Sequence, residues 1–176
     1  MVVGPWGRGM APFLTKENMI EIEVTPAMIS KAQEKSIAMG RLNNSIRRGA
    51  GNLVGFIGEQ IAQQVLGGKN DNTYDYDLIL DNGIKVDVKT KQTGYVPQPH
   101  YACSVAAFNT EQACDYYAFV RVKNDLTKGW YLGVYDKHQF YKDAVHLVKG
   151  QVDPDDPNFI VKATCYNIKV SDLKQL

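Results

Sequence analysis

Charge of one sign is what this chain most lacks. Its 20 Lys and Arg against 19 Asp and Glu leave a formal net charge of +1 over 176 residues. No overall field therefore draws it onto a polyanion, and any affinity for nucleic acid has to come from a local cluster. Cysteine is scarce: Cys103, Cys114 and Cys165 are odd in number and far apart. That supports neither a disulfide framework nor a zinc site, and makes a reducing cytoplasm the default. His100, His138 and His146 have no ligand spacing and are read as structural or surface groups. No apolar run approaches the roughly 18 residues needed to cross a bilayer, so no membrane is expected as a partner. The opening Met1-Val2-Val3-Gly4-Pro5-Trp6-Gly7-Arg8 lacks the basic-then-apolar order of a signal peptide. Repeats, low-complexity tracts and internal linkers are absent too.

What is present suits one domain over residues 1–176, with 44% hydrophobic and 22% charged residues and enough chain to bury a core. An N-terminal arm and helix, about residues 1–40, precede the main body. Thr25-Pro26 starts that helix, a capping Thr before Pro at the first helical position. A polar, Gly-rich connection from Arg41 to Asn52 carries Arg41, Arg47 and Arg48 and no acid. A second helix from about Leu53 to Leu66 has Leu53, Ile57, Ile61 and Val65 as its core stripe and stops at Gly67-Gly68. Further on, 101–108, 116–122, 130–135 and most of 159–170 read as strands, with a short helical connector at 109–114 and a short helix from Asp136 to about His146.

The most informative stretch is 74–91. Two apolar-rich runs flank Asp81-Asn82-Gly83, which is turn chemistry, so the stretch reads as a β-hairpin. The second run alternates: Ile84, Val86, Val88 and Thr90 on one face, Lys85, Asp87, Lys89 and Lys91 on the other. A loop of Asp81, Asn82 and Gly83, with Gly83 left-handed, sets Leu80 opposite Ile84 and Asp77 opposite Asp87. A two-residue Asn82-Gly83 turn would send Asp77 to the other face. Asp75 has the same strand parity as Asp77 and competes with it; Asp77 is preferred because it directly precedes Leu78-Ile79-Leu80.

An acid opening one strand, a hairpin, then Asp87-Val88-Lys89 in the next resembles the PD-(D/E)XK nuclease superfamily, the restriction-endonuclease-like group. Gly55-Phe56-Ile57-Gly58-Glu59 places an acid on the preceding helix, as many of those enzymes do. The run Tyr76-Asp77-Leu78-Ile79-Leu80-Asp81-Asn82-Gly83 is similar to the hairpin of archaeal-type Holliday junction resolvases. Tyr76 departs from the family's Pro, and Asp87 stands where Glu is more usual. The resemblance implies an α/β fold, a central mixed β-sheet flanked by helices, and metal-dependent endonuclease cleavage of DNA. It implies Mg²⁺, with Mn²⁺ as a substitute, held by Asp77, Asp87 and the Val88 backbone carbonyl. Glu59 would act through water or on a second ion, and Lys89 would orient the attacking water. Cutting both strands would call for two sites, hence a homodimer.

Asp87-Val88-Lys89 alone means little, because a chain this size shows about one such triplet by chance; Asp172-Leu173-Lys174 is a second copy, read as surface. The combination is what counts. Glu59 lies on a helical row with Gly55, Ala62 and Leu66, small or apolar neighbours that a solvated face would not have. Arg41, Arg47 and Arg48, just before that helix, are candidate DNA phosphate contacts, with Lys91 one step along from Lys89. A non-catalytic DNA-binding module of the same fold is the alternative from another class.

Overall fold

The computed structural model describes residues 19–39 and 50–176. Strand β1 (Ile20–Glu23) leads into α1 (Pro26–Met39), whose first turn is capped as predicted, Thr25 Oγ1 accepting from Met28 N at 3.2 Å. Helix α2 (Ala50–Leu66) follows, then β2 (Lys69–Asn70), β3 (Leu78–Ile79), β4 (Lys85–Thr93) and β5 (Ala102–Ala106), which runs into a 3-10 turn at Ala107–Asn109. The rest comprises β6 (Tyr116–Lys123), β7 (Lys128–Asp136), α3 (Lys137–Asp143), β8 (Val145–Leu147), β9 (Val152–Asp153), β10 (Asp156–Ile160) and β11 (Cys165–Lys169), with a last 3-10 turn at Val170–Asp172.

The architecture is mixed α/β. A central six-stranded sheet in the order β1-β7-β6-β4-β3-β2 is parallel between β4 and β6 and antiparallel elsewhere. Period-two alternation sorts its side chains into two layers. Val86 on β4, Ala118, Val120 and Val122 on β6 and Tyr131 on β7 meet Val54, Ile57 and Ile61 of α2 and Met28 and Ala32 of α1. The predicted α2 stripe accordingly faces the core, with Ile57 and Ile61 wholly buried. On the opposite face Tyr117, Phe119, Trp130 and Leu132 pack under Phe140 of α3 and under β5 and β11, two strands of a small sheet ordered β5-β11-β8. Helices thus flank the central sheet, α1 and α2 on one side and α3, beside the small sheet, on the other.

Several boundaries differ from the sequence expectation. The segment 159–170 is two strands in two sheets, because β10 pairs β9 while β11 pairs β5 and β8. The expected helix from Asp136 to His146 ends at Asp143, since Val145–Leu147 is drawn into the small sheet as β8. The connector after Phe108 is a single 3-10 turn beginning at Ala107. No helix among the described residues is long and apolar enough to cross a membrane.

Candidate functional site at the edge of the central hairpin

The hairpin closes through Asp81, Asn82 and Gly83, with Gly83 at φ 85°. Leu80 N donates to Ile84 O and Gly83 N to Leu80 O, each at 2.8 Å, and Leu78 pairs with Val86. A left-handed third loop position is what Gly supplies without steric cost. Strand pairing on this side of β4 stops at Val86. Asp77 sits where the hairpin opens, and its Oδ2 accepts from Val88 N at 2.8 Å, occupying a ladder position that β3 no longer reaches.

Asp87 and Lys89 come from the next positions of β4, on the layer shared with Tyr117 and Phe119. Lys89 Nζ stands 2.6 Å from Asp87 Oδ2. Gln112, from the turn after β5, binds both: its Nε2 donates to Asp87 Oδ1 at 3.1 Å and its Oε1 accepts from Lys89 Nζ at 3.1 Å. Glu59 arrives from the opposite layer. Helix α2 lies close against β4 because position 58 has no side chain: a Cβ there would overlap Thr90. One residue on, Glu59 Oε2 accepts from Asn72 Nδ2 at 2.7 Å, Asn70 Nδ2 at 2.9 Å and Lys35 Nζ at 3.1 Å. A cleft of about 220 Å³ opens beside it, lined by Met39, Asn52, Gly55, Glu59, Asn72 and Asp77 among others. Gly55 leaves that approach open, as expected from its place on the Glu59 row; Ala62 on the same row is core instead.

Glu59 and Asp87 are only 6% and 4% exposed. Burial pushes Asp77 well above the usual carboxylate range, and the charges of Asp87 and Glu59 push it further, against the Val88 N–H, which pulls it down. Asp87 is raised by burial as well, but there the Lys89 ammonium and the Gln112 amide favour the charged form. The two carboxyls are therefore unequal in environment: one is bound to a cation, the other sits among anions.

Asp75 does not share this position. Its Oδ1 accepts from Ala113 N at 3.0 Å and ties the hairpin approach to the turn that carries Gln112. Lys91 is exposed, two residues beyond Lys89 on β4 and paired with Arg121 across the parallel ladder. Arg41, Arg47 and Arg48 lie outside the described residues. Four groups at the site carry no sequence signature: Lys35, Asn70, Asn72 and Gln112. The Asn-Asp-Asn run at 70–72 is turn chemistry and signals a loop, not a partner for Glu59.

The metal assignment is corrected. Among the described residues no group of three or more His, Cys, Asp or Glu side chains is placed to hold a metal ion. Asp77, Asp87, the Val88 carbonyl and Glu59 thus do not form the ligand set expected for Mg²⁺ or Mn²⁺. The reason is competition. Three donors take Glu59 Oε2, Lys89 and Gln112 flank Asp87, and Val88 meets Asp77 through its N–H. Each of the three carboxylates thus already has a protein cation or donor on one of its oxygens, in competition with a hard cation.

No protein-family model matches the chain, and no curated protein is similar to it.

Proposed function

We propose that the protein is a DNA endonuclease of the restriction-endonuclease-like kind, hydrolysing phosphodiester bonds at the edge of β4. One observation carries this: Glu59, Asp77, Asp87 and Lys89, from a helix, a loop and a strand, gather in one place although burial opposes the charge of both aspartates. Strongly perturbed groups beside a cleft mark places where chemistry is done. The chain order of helix acid, hairpin and Asp87-Val88-Lys89 supports the same kind of enzyme.

The residues divide the work by environment. Asp87, whose charged form is opposed by burial but favoured by Lys89, takes a proton from water as the water oxygen bonds to phosphorus. Lys89 offsets charge that builds on the phosphoryl oxygens. Asp77, which holds its proton toward neutral pH, returns one to the oxygen released when the phosphorus–oxygen bond breaks. Glu59 fixes the loop through Asn70 and Asn72 and, by its charge, helps keep Asp77 protonated. Arg41, Arg47 and Arg48 lie between Met39 and Asn52, which both line the cleft, and together with Lys91 are assigned to DNA phosphates.

A DNA-binding module without turnover is the second reading, favoured by the way each carboxylate is already engaged by protein donors. Purified protein incubated with linear, supercoiled, single-stranded and four-way-junction DNA, in a buffer of physiological ionic composition, separates the two. Cleavage of at least one form is expected. Binding with no cut in any form would leave the module, and neither binding nor cutting would remove DNA as the partner.

A further inference from the structure

A cavity of about 1010 Å³ lies away from the candidate site, and none of Glu59, Asp77, Asp87 and Lys89 lines it. Arg121 does. At 7% exposed it is the one Lys or Arg that is buried among the described residues. Its Nη2 donates to Ala102 O at 2.5 Å, and its guanidinium lies 5.8 Å from the centre of the Tyr101 ring. Among the described residues no carboxylate comes within ion-pair distance of it. The residue opposite it on β4 is Lys91, a second cation.

A guanidinium taken out of water is costly unless an opposite charge is paired with it. Burial accordingly pulls the Arg121 pKa down. A well-packed apolar side chain would serve a purely structural position at least as well. The planar fork of arginine, held at one end by a carbonyl, is suited to gripping a carboxylate or a phosphate through two parallel bonds.

The rest of the lining decides between those anions. Lys91 and Lys169 are balanced in number by Asp143 and Asp172, which leaves Arg121 against Asp153, Asp155 and Asp156 of the β9–β10 turn. None of these three aspartates has an ion-pair partner among the described residues. A phosphate dianion, or a run of DNA phosphates, meets an excess of negative charge here. A carboxylate carried by a molecule that also bears an ammonium group does not. Leu147 and Ile168 add apolar wall. The volume is at the upper end of small-ligand sites, about 300–1,000 Å³, and so suits a short peptide better than a single amino acid.

We propose that this cavity binds a short zwitterionic peptide, with its terminal carboxylate on Arg121 and its ammonium group among Asp153, Asp155 and Asp156. The site is a second one, and it does not rest on the DNA chemistry proposed above.

The test is calorimetric titration of the full chain, without DNA, by L-leucyl-L-leucine and by L-lysyl-L-leucine. At least one is expected to bind with a Kd below about 1 mM. Its C-terminal amide, which lacks the carboxylate, and its N-acetyl form, which lacks the terminal ammonium, should each bind about tenfold or more weakly. Arg121→Gln keeps a donor for Ala102 O and should weaken the unmodified dipeptide by about tenfold or more. Asp155→Asn combined with Asp156→Asn, two exposed positions that leave folding intact, should weaken the dipeptide and leave the N-acetyl form unaffected. If Arg121→Gln does not fold, the amide, the N-acetyl form and the aspartate pair decide. Binding of neither dipeptide, binding of inorganic phosphate in their place, or an amide that binds as tightly as the acid would overturn the site. Any of these leaves the endonuclease proposal as it stands.

Discussion

Asp77 sits in an environment unfavourable to its charge. Its folded pKa lies above the unfolded value because burial, Asp87 and Glu59 all oppose ionisation. The folded state then binds its proton more tightly than the unfolded chain does. The stability from this group is fully present below the unfolded pKa and is lost as pH rises through the raised folded value. Asp77→Asn removes the titration and retains an oxygen acceptor for Val88 N. Thermal unfolding of the variant should match wild type near pH 4 and exceed it increasingly toward pH 8, by about 1.4 kcal/mol for each tenfold change in proton affinity. A variant less stable than wild type at pH 8 would contradict this placement of Asp77. Gln112 acts on the neighbouring carboxylate in the opposite sense, since its amide favours ionised Asp87. Gln112→Leu should raise the Asp87 pKa and move the acid limb of the cleavage pH profile to higher pH. A limb that stays in place, with only the rate lowered, would reduce Gln112 to a packing role.

Two elements set the site, the α2–β4 contact and the hairpin loop. Gly58 lets α2 approach β4 closely enough for Glu59 to reach the edge. Gly58→Ala should cost about 1–3 kcal/mol by overpacking, measurable by urea unfolding, and an unchanged midpoint would show that Thr90 yields freely. The hairpin was legible in the sequence for a physical reason: Asp81-Asn82-Gly83 encodes the turn locally, and strict alternation from Ile84 to Lys91 fixes which face each residue takes. The α2 stripe was legible on the same grounds, because a helical period is also a local property. What escaped was everything that tertiary packing supplies. Lys35, the pair Asn70 and Asn72, and Gln112 come from three separate places in the chain, and nothing in their own neighbourhoods announces a carboxylate partner. The metal expectation failed for the same reason. Acidic residues in order can be read from sequence, whereas the donors that compete for their oxygens cannot. The chain from 159 to 170 misled because one β-prone run is divided between two sheets.

At the scale of the whole molecule, a net charge of +1 gives no long-range attraction, so the proposed binding to DNA would have to depend on a few local cations. Replacing Arg47 and Arg48 by Ala should weaken binding and flatten the dependence of log affinity on log salt by up to about two contacts' worth. An unchanged slope would return these arginines to ordinary surface. Under the proposed mechanism, phosphate contacts and chemistry should also separate cleanly, because positioning on the backbone is distributed while proton transfer is assigned to Asp87. The decisive measurement is therefore the single-turnover cleavage rate of wild type and Asp87→Asn on the same end-labelled DNA, taken at saturating protein with affinity measured alongside. Loss of a general base predicts a rate lower by about 100-fold or more, with affinity for DNA little changed. Equal rates in the two proteins would contradict the assignment of phosphodiester hydrolysis to this site.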